Sequence, residues 1–155
     1  MNVEEFRNDV IKKAKFNLTK FKELIPICFF LMEKEEVEGA VAMMVEDINT
    51  APNAIKFFSE THDEVRAYLF LSSGWVAQIP EYFQKMMEKG VVKMEDYPSA
   101  SEALNKQEVI TLVSKERYKP TEQVTIFFER LLNGDIRFGR QNKTCEVQGR
   151  FADLI

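Results

Sequence analysis

The order of secondary-structure patterns along the chain predicts an α+β fold, as a single domain with a mixed sheet. Three observations predict it: an amphipathic helical pattern at the start, a short apolar run in the middle, and strand patterns through the last third. The length of 155 residues fits one domain, residues 1–155. The expected order is an N-terminal helix, a β-hairpin, a helix, a central strand, a short helix and a C-terminal antiparallel meander.

The first pattern is that of an amphipathic helix over residues 2–23. Its apolar side chains recur at helical spacing at Phe6, Val10, Ala14, Leu18 and Phe21. An asparagine at position 2, with a glutamate three residues later, suits an N-cap with a capping box. We interpret the lysine-rich side of this helix as a solvated face.

A hairpin and a second helix are expected next. Pro26 marks the change from helix to extended chain, and apolar runs at 27–32 and 37–45 flank the polar turn Glu33–Glu36. The tetrapeptide Asn49-Thr50-Ala51-Pro52 then predicts a helix start, because proline suits the first turn and Asn or Thr suits the cap.

The stretch from Val65 to Pro80 is the one around which we expect the chain to be organised. Its run Ala67–Leu71 is typical of a strand covered on both faces. Ser72, Ser73 and a glycine follow, and then Trp75, which is the only tryptophan. A strand that leads through small residues to a helix resembles the ligand-binding crevices of α/β proteins. We favour the plainer interpretation, in which the tryptophan closes the rim of the core.

The region after this strand predicts a short helix over residues 80–89, followed by a long loop. In that loop Tyr97 precedes a Ser99/Glu102 pair that suits a capped helical turn. Long loops in compact domains are often functional, so we expect any working loop to lie at Tyr97–Glu102.

The last third predicts a meander of strands at 108–114, 122–132, 135–140 and 144–149. A polar connection that contains Tyr118 joins the first two strands. Asn133-Gly134, a strong hairpin signal, joins the next two.

The composition limits the classes of function. A net charge of −4 disfavours nucleic acid and acidic membranes, because both are bound by basic patches. Two cysteines are too few for a disulfide scaffold, and no apolar run approaches the roughly 20 residues that span a bilayer. The first residues also lack a signal-peptide pattern. We therefore expect a cytoplasmic protein without a membrane partner.

Few residues suggest a catalytic reaction. Glu46 and Asp47 are adjacent acids at a predicted strand end, and His62 is the only histidine. Acid–base work would need them to converge, but adjacent strand residues point to opposite faces and no nucleophile is paired with the histidine. Basic and aromatic residues alternate at Arg137, Phe138 and Arg140, as in some strands that bind single-stranded nucleic acid, but we interpret them as sheet-surface residues.

Several common motifs are absent from the sequence. It has no phosphate-binding glycine loop, no Cys-x-x-Cys pair and no Gly-x-Ser-x-Gly elbow. We expect no cofactor and no metal site, and a binding protein rather than an enzyme.

The element order is similar to that of the JAB/MPN and cytidine-deaminase-like folds. The JAB/MPN peptidases bind zinc through a His-x-His set with Ser and Asp, and the deaminases use His/Cys-x-Glu with Pro-Cys-x-x-Cys. The single His62 cannot supply the first set, and the second is absent. The resemblance therefore implies a member without a metal.

A second resemblance is to small uncharacterised proteins of bacteria and phages. These pair a strand ending in Ser-x-x-Trp-Val with a downstream Pro-Ser…Glu segment that enters another strand. The segment Ser72-Ser73-Gly74-Trp75-Val76 matches the first part, and Pro98-Ser99 with Glu108-Val109 matches the second. The spacing here is longer, and the usual proline and arginine between the two parts are missing. This resemblance implies no activity.

Two hypotheses follow. The first is a non-enzymatic interaction or accessory factor, encoded by a phage or mobile element, that binds a protein partner or forms a homodimer through an edge strand of the meander. The alternative is a small ligand-binding domain or metal-independent hydrolase with a crevice near Ser72–Trp75. The candidate binding residues are Ser72, Ser73, Trp75, Tyr97, Ser99, Glu102 and Tyr118.

Overall fold

The computed structural model describes residues 2–77, 79–97 and 106–155. These residues form an α+β single domain with an N-terminal helix and a C-terminal strand meander, which confirms the predicted class. The elements are α1 (Val3–Phe21), β1 (Ile27–Lys34), β2 (Val37–Met44), α2 (Ala51–Thr61), β3 (Val65–Val76), α3 (Glu81–Glu88), a 3-10 turn (Met94–Asp96), β4 (Gln107–Glu116), β5 (Glu122–Arg130) and β6 (Ile136–Cys145). No helix in these ranges is both long and apolar enough to cross a membrane.

The described sheet has six strands in the order β2-β1-β3-β4-β5-β6, and every neighbouring pair is antiparallel. The sheet is therefore antiparallel and not the mixed sheet that the sequence predicts. The connection through α2 carries the chain from β2 past β1 to β3. These two strands run parallel to each other, but β1 lies between them. The two strands therefore point in the same direction but are not hydrogen-bonded to each other.

Helices cover both faces of the sheet. On one face, which we name the α1 face, Val10, Ile11, Ala14 and Leu18 of α1 pack on residues of β1, β3, β4 and β5. On the opposite face, the α2 face, Ile55 of α2 packs with residues of β1 and β3. Strand β3 belongs to both clusters, since Ala67, Leu69 and Leu71 face α1 while Tyr68 and Phe70 face α2.

Both ends of α1 are capped, and the N-cap is the one expected at Asn2. The Asn2 side chain accepts hydrogen bonds from the backbone N–H groups of Glu4 and Glu5, at 2.8 and 3.4 Å. Lys22 ends the helix with a left-handed backbone at φ +65° and donates its N–H to the Leu18 carbonyl at 2.9 Å.

The end of the meander differs from the prediction. Residues 135–140 and 144–149 were expected to form two strands, but one strand, β6, runs from Ile136 to Cys145. A β-bulge interrupts its pairing with β5 between Ile126 and Phe128. The bulge breaks the alternation of side chains, which is the signal that sequence patterns depend on.

The segment 147–155 returns across the α2 face, where Phe70 and Tyr68 of β3 contact it. The ring of Phe151 stacks on Phe70 with centroids 4.6 Å apart. The buried Tyr68 hydroxyl donates to the Phe151 carbonyl at 2.5 Å and accepts from the Leu154 N–H at 3.4 Å. Burial raises the pKa of this hydroxyl, so Tyr68 remains a neutral donor at physiological pH.

A partly buried ion pair links α1 to β5. Arg7 is 6% exposed and donates from Nη1 to Oε2 of Glu122 at 2.6 Å, while Lys143 of β6 lies 3.4 Å from the same oxygen. Burial raises the pKa of Glu122, but the hydrogen bonds and charges of Arg7 and Lys143 outweigh it and hold this pKa below its ordinary value.

We expect Tyr68→Phe to lower the free energy of unfolding by about 1–3 kcal/mol, because the Leu154 N–H and the Phe151 carbonyl lose their shared partner. Urea unfolding followed by circular dichroism measures the difference. Tyr118→Phe is the matched control, since that tyrosine is 96% exposed. Equal losses for the two variants would contradict the anchoring role of Tyr68.

We expect Glu122→Gln to lower the free energy of unfolding by about 1–3 kcal/mol at neutral pH, because Arg7 then lacks its anionic partner. A carboxyl whose folded pKa is depressed stabilises the fold above its unfolded pKa and loses this contribution as the pH falls through the folded value. The difference between variant and parent should therefore shrink in acid.

Urea unfolding across the acid range tests this pH dependence. Glu129→Gln is the control on the same strand, because Glu129 pairs with Arg137 at the exposed surface. A pH-independent difference for Glu122→Gln would contradict the electrostatic origin.

Candidate functional site

The two predicted serines line the same small cavity, together with Trp75, although they differ in exposure. Adjacent strand residues point to opposite faces. Ser72, on the α2 face, is buried beneath the segment 147–152 and lines a cavity of 240 Å³. Ser73, on the α1 face, is exposed. The cavity is smaller than the roughly 300–1,000 Å³ of typical small-molecule sites.

Trp75 lies on the α1 face near the end of β3, opposite Glu108 in the register with β4. Its side chain is 41% exposed. The Lys106 ammonium lies 4.7 Å from its ring centroid, within cation–π range. The prediction that this ring sits where core meets water therefore agrees with its half-exposed position.

The connection from β3 to β4, in which the predicted working loop Tyr97–Glu102 falls, starts and ends beside Trp75, because Val76 pairs with Gln107. Tyr97 packs edge-on against the buried Phe83 of α3, with ring centroids 4.9 Å apart. Ser99 and Glu102 lie outside the described residues.

Tyr118 lies at the opposite end of the sheet. It occupies the turn after β4 with a backbone φ of +68°. The register pairs Trp75 with Glu108 and Ala67 with Glu116, so roughly 27 Å of strand separates the two ends. Trp75 and Tyr118 therefore cannot belong to one small binding surface.

His62 is also remote from Trp75. It follows α2, its Nδ1 lies 3.0 Å from the Phe58 carbonyl, and its ring stacks on Phe58 with centroids 4.1 Å apart. Its carbonyl accepts from the N–H of Val65, so about 23 Å of β3 separates it from Ser72. Proton transfer needs hydrogen-bond reach, so this arrangement does not support His62 as a base for either serine.

The adjacent acids have a local structural role. The Asp47 carboxylate accepts from the N–H of Asn49 at 2.9 Å, which shapes the turn before α2. Glu46 is exposed. Among the described residues, no three His, Cys, Asp or Glu side chains are grouped so that they could hold a metal ion.

An open cleft with a volume of 780 Å³ lies at the Trp75 end of β3, β4, β5 and β6. We name it the Trp75 cleft. Its aromatic members are Trp75, Phe127, Phe128 and Phe138, its basic members are Lys106, Arg130, Arg137 and Arg140, and its acidic members are Glu108 and Glu129. The cleft is therefore locally basic on a chain of net charge −4.

Cations stack on the rings of this cleft. The Arg140 guanidinium lies 4.1 Å from the Phe127 centroid, and that of Arg130 lies 5.6 Å from Phe128. Arg130 is also held by Glu108 through bonds of 2.8 and 3.2 Å, while Arg140 makes no ion pair within the described ranges. Arg140 therefore keeps its charge available to an anionic partner.

Sequence reasoning identified parts of this cleft but did not assemble them. It noted Trp75 and the alternation of Arg137, Phe138 and Arg140 as separate features. The antiparallel register aligns Trp75 with Phe138 by pairing Phe138 with Phe128 and Glu108 with both Phe128 and Trp75. Arg140 lies over Phe127, the neighbour of Phe128. The basic–aromatic alternation was the available signal, and net charge was too coarse to reject it.

Comparison of the chain with protein-family models, with curated proteins and with solved structures gives no match. The two resemblances drawn from the sequence therefore stay predictions.

Proposed function

We propose that the protein is a non-enzymatic interaction factor that binds an acidic segment of another protein in the Trp75 cleft. The observation that carries this proposal is the locally basic, aromatic-lined cleft on a net-acidic chain. Tryptophan and arginine are the residue types that most often dominate protein-binding energy. The accessory role and the phage or mobile-element origin expected from the sequence are part of the proposal.

Shape and charge favour a protein segment over the other ligand classes. A cleft of 780 Å³ that opens along four strands suits several side chains of an extended segment. Nucleic acid is less favoured, because two of the basic side chains are already paired with Glu108 and Glu129 and the whole chain is acidic.

Because Trp75 is the only tryptophan, tryptophan fluorescence reports on the Trp75 cleft. Binding of a short peptide of glutamate and phenylalanine should change Trp75 fluorescence, since no other residue emits as tryptophan. We expect Arg140→Glu to weaken this binding at least about tenfold, because it removes a stacked cation and places a repelling charge in the cleft.

Two variants provide controls for this titration. Lys12→Glu makes the same charge change on the exposed side of α1, and His62→Ala removes the histidine near the far end of β3; both should bind like the parent. Equal weakening by Arg140→Glu and Lys12→Glu would show that only overall charge matters. An unchanged affinity for Arg140→Glu would remove the cleft from the proposal.

Native mass spectrometry would identify the natural partner. A protein that copurifies with the parent but not with Arg140→Glu would support the proposed function. A bound metal or small molecule instead would favour the small-ligand alternative.

A further inference from the structure

The two edges of the sheet differ in chemistry. Strand β6, at one edge, carries Arg137, Arg140 and Lys143 and contains a bulge. Charges and bulges are the means by which proteins prevent their sheet edges from pairing. Strand β2, at the other edge, has the sequence VEGAVAMM, in which Glu38 is the only charged residue. The β2 edge therefore lacks this protection.

The hairpin geometry determines which backbone groups β2 directs outward. Glu35–Glu36 form a two-residue turn with φ of +50° and +67°, so residues 34 and 37 make the closing hydrogen-bonded pair. Hydrogen-bonded pairs then alternate along the hairpin. The N–H of Val45 donates to the Pro26 carbonyl at 3.1 Å, as this alternation requires. The outward N–H and C=O groups belong to Glu38, Ala40, Ala42 and Met44.

An apolar groove lies beside this edge on the α1 face. Its volume is 470 Å³, and its lining includes Phe21, Ile25, Phe29 and Met44. Phe21, Ile25 and Met44 are exposed to 63%, 57% and 64%.

Small side chains separate the edge from the groove. Ala42 and Ala40 are opposite Phe29 and Leu31 in the register, so their side chains lie on the α1 face. A methyl group at each position leaves room for a long side chain of an added strand to lean over β2 into the groove.

Acidic residues lie at both ends of β2. Glu35 and Glu36 form the turn at one end, and Glu46 and Asp47 follow the other end; all four are exposed. An added strand would therefore be favoured by basic residues at its two ends and an uncharged centre.

We propose that β2 is a docking edge for an extended segment of another protein, with alternating large apolar side chains and basic residues at both ends. The segment adds a seventh strand to the described sheet through the outward groups of β2. Its apolar side chains enter the groove beside α1. Main-chain hydrogen bonds supply affinity in this mode of recognition, and alternate side chains supply specificity. This site is separate from the Trp75 cleft and does not depend on its role.

In the pairing centred on Val41, charge disfavours a second copy of β2. A twofold pairing centred on Val41 would place Glu36 opposite Glu46 of the second copy, and Glu35 opposite Asp47 of that copy. Like charges directly opposite one another destabilise paired strands. The basic β6 edge of a second copy has the favourable charge, but its bulge and its exposed arginine and lysine side chains oppose pairing.

Fluorescence anisotropy with a labelled synthetic peptide tests the proposal. The probe has alternating leucine and threonine with two lysines at each end, and the comparison peptide has glutamates in place of the lysines. We expect the lysine peptide to bind at least tenfold more tightly, and added salt to reduce the difference.

Variants of β2 locate the binding site. Ala42→Pro removes an outward N–H that the fold does not use, and should weaken binding at least tenfold. Ala42→Ser keeps that N–H and is the matched control. Glu36→Lys with Glu46→Lys reverses charge at both ends without changing β2, so it should weaken binding of the lysine peptide even if Ala42→Pro fails to fold.

Unchanged binding by Ala42→Pro or by the charge-reversed variant would overturn the proposal, as would equal affinity for the two peptides. Sedimentation of the protein without peptide tests whether a second copy of the chain occupies the β2 edge. Self-association that Arg140→Glu abolishes would instead assign the edge to β6 of a second copy.

Discussion

Burial of β3 on both faces is the constraint on which the rest of the structure depends. A strand with apolar side chains at Ala67, Leu69 and Leu71 on one face, and at Tyr68 and Phe70 on the other, must be covered from both sides. Helix α1 supplies one cover, and α2 with the segment 147–155 supplies the other. Strands β1 and β4 flank β3, so its backbone groups are paired within the sheet.

This arrangement concentrates buried side chains at the middle of the sheet and leaves the two proposed binding surfaces at its periphery. The largest fully buried side chains, among them Tyr68, Phe30 and Phe70, lie in or beside β3. The features that suggest binding lie outside that centre, at the Trp75 end of the strands and along the β2 edge. Substitutions there can change recognition without opening the core, because surface positions contribute little to stability.

Charge is distributed unevenly across the sheet. Basic side chains collect on β6 and at the Trp75 cleft, while acidic side chains flank β2. Like charges at matching edges disfavour the pairing of these edges between copies. The net charge of −4 does not show this division.

The sequence by itself determined the elements, because their signals are local. The periodicity of α1, its Asn2 cap, the apolar run of β3 and the Asn133-Gly134 turn depend on neighbouring residues, and each gave the expected element or turn. Only the tertiary structure decided the strand order, the single bulged β6 and the assembly of the cleft. These depend on pairing between residues far apart in the chain, such as Trp75 with Glu108 and Phe128 with Phe138. Local patterns carry no information on such pairs, so the predicted site combined Trp75 with Tyr118, which lies at the other end of the sheet.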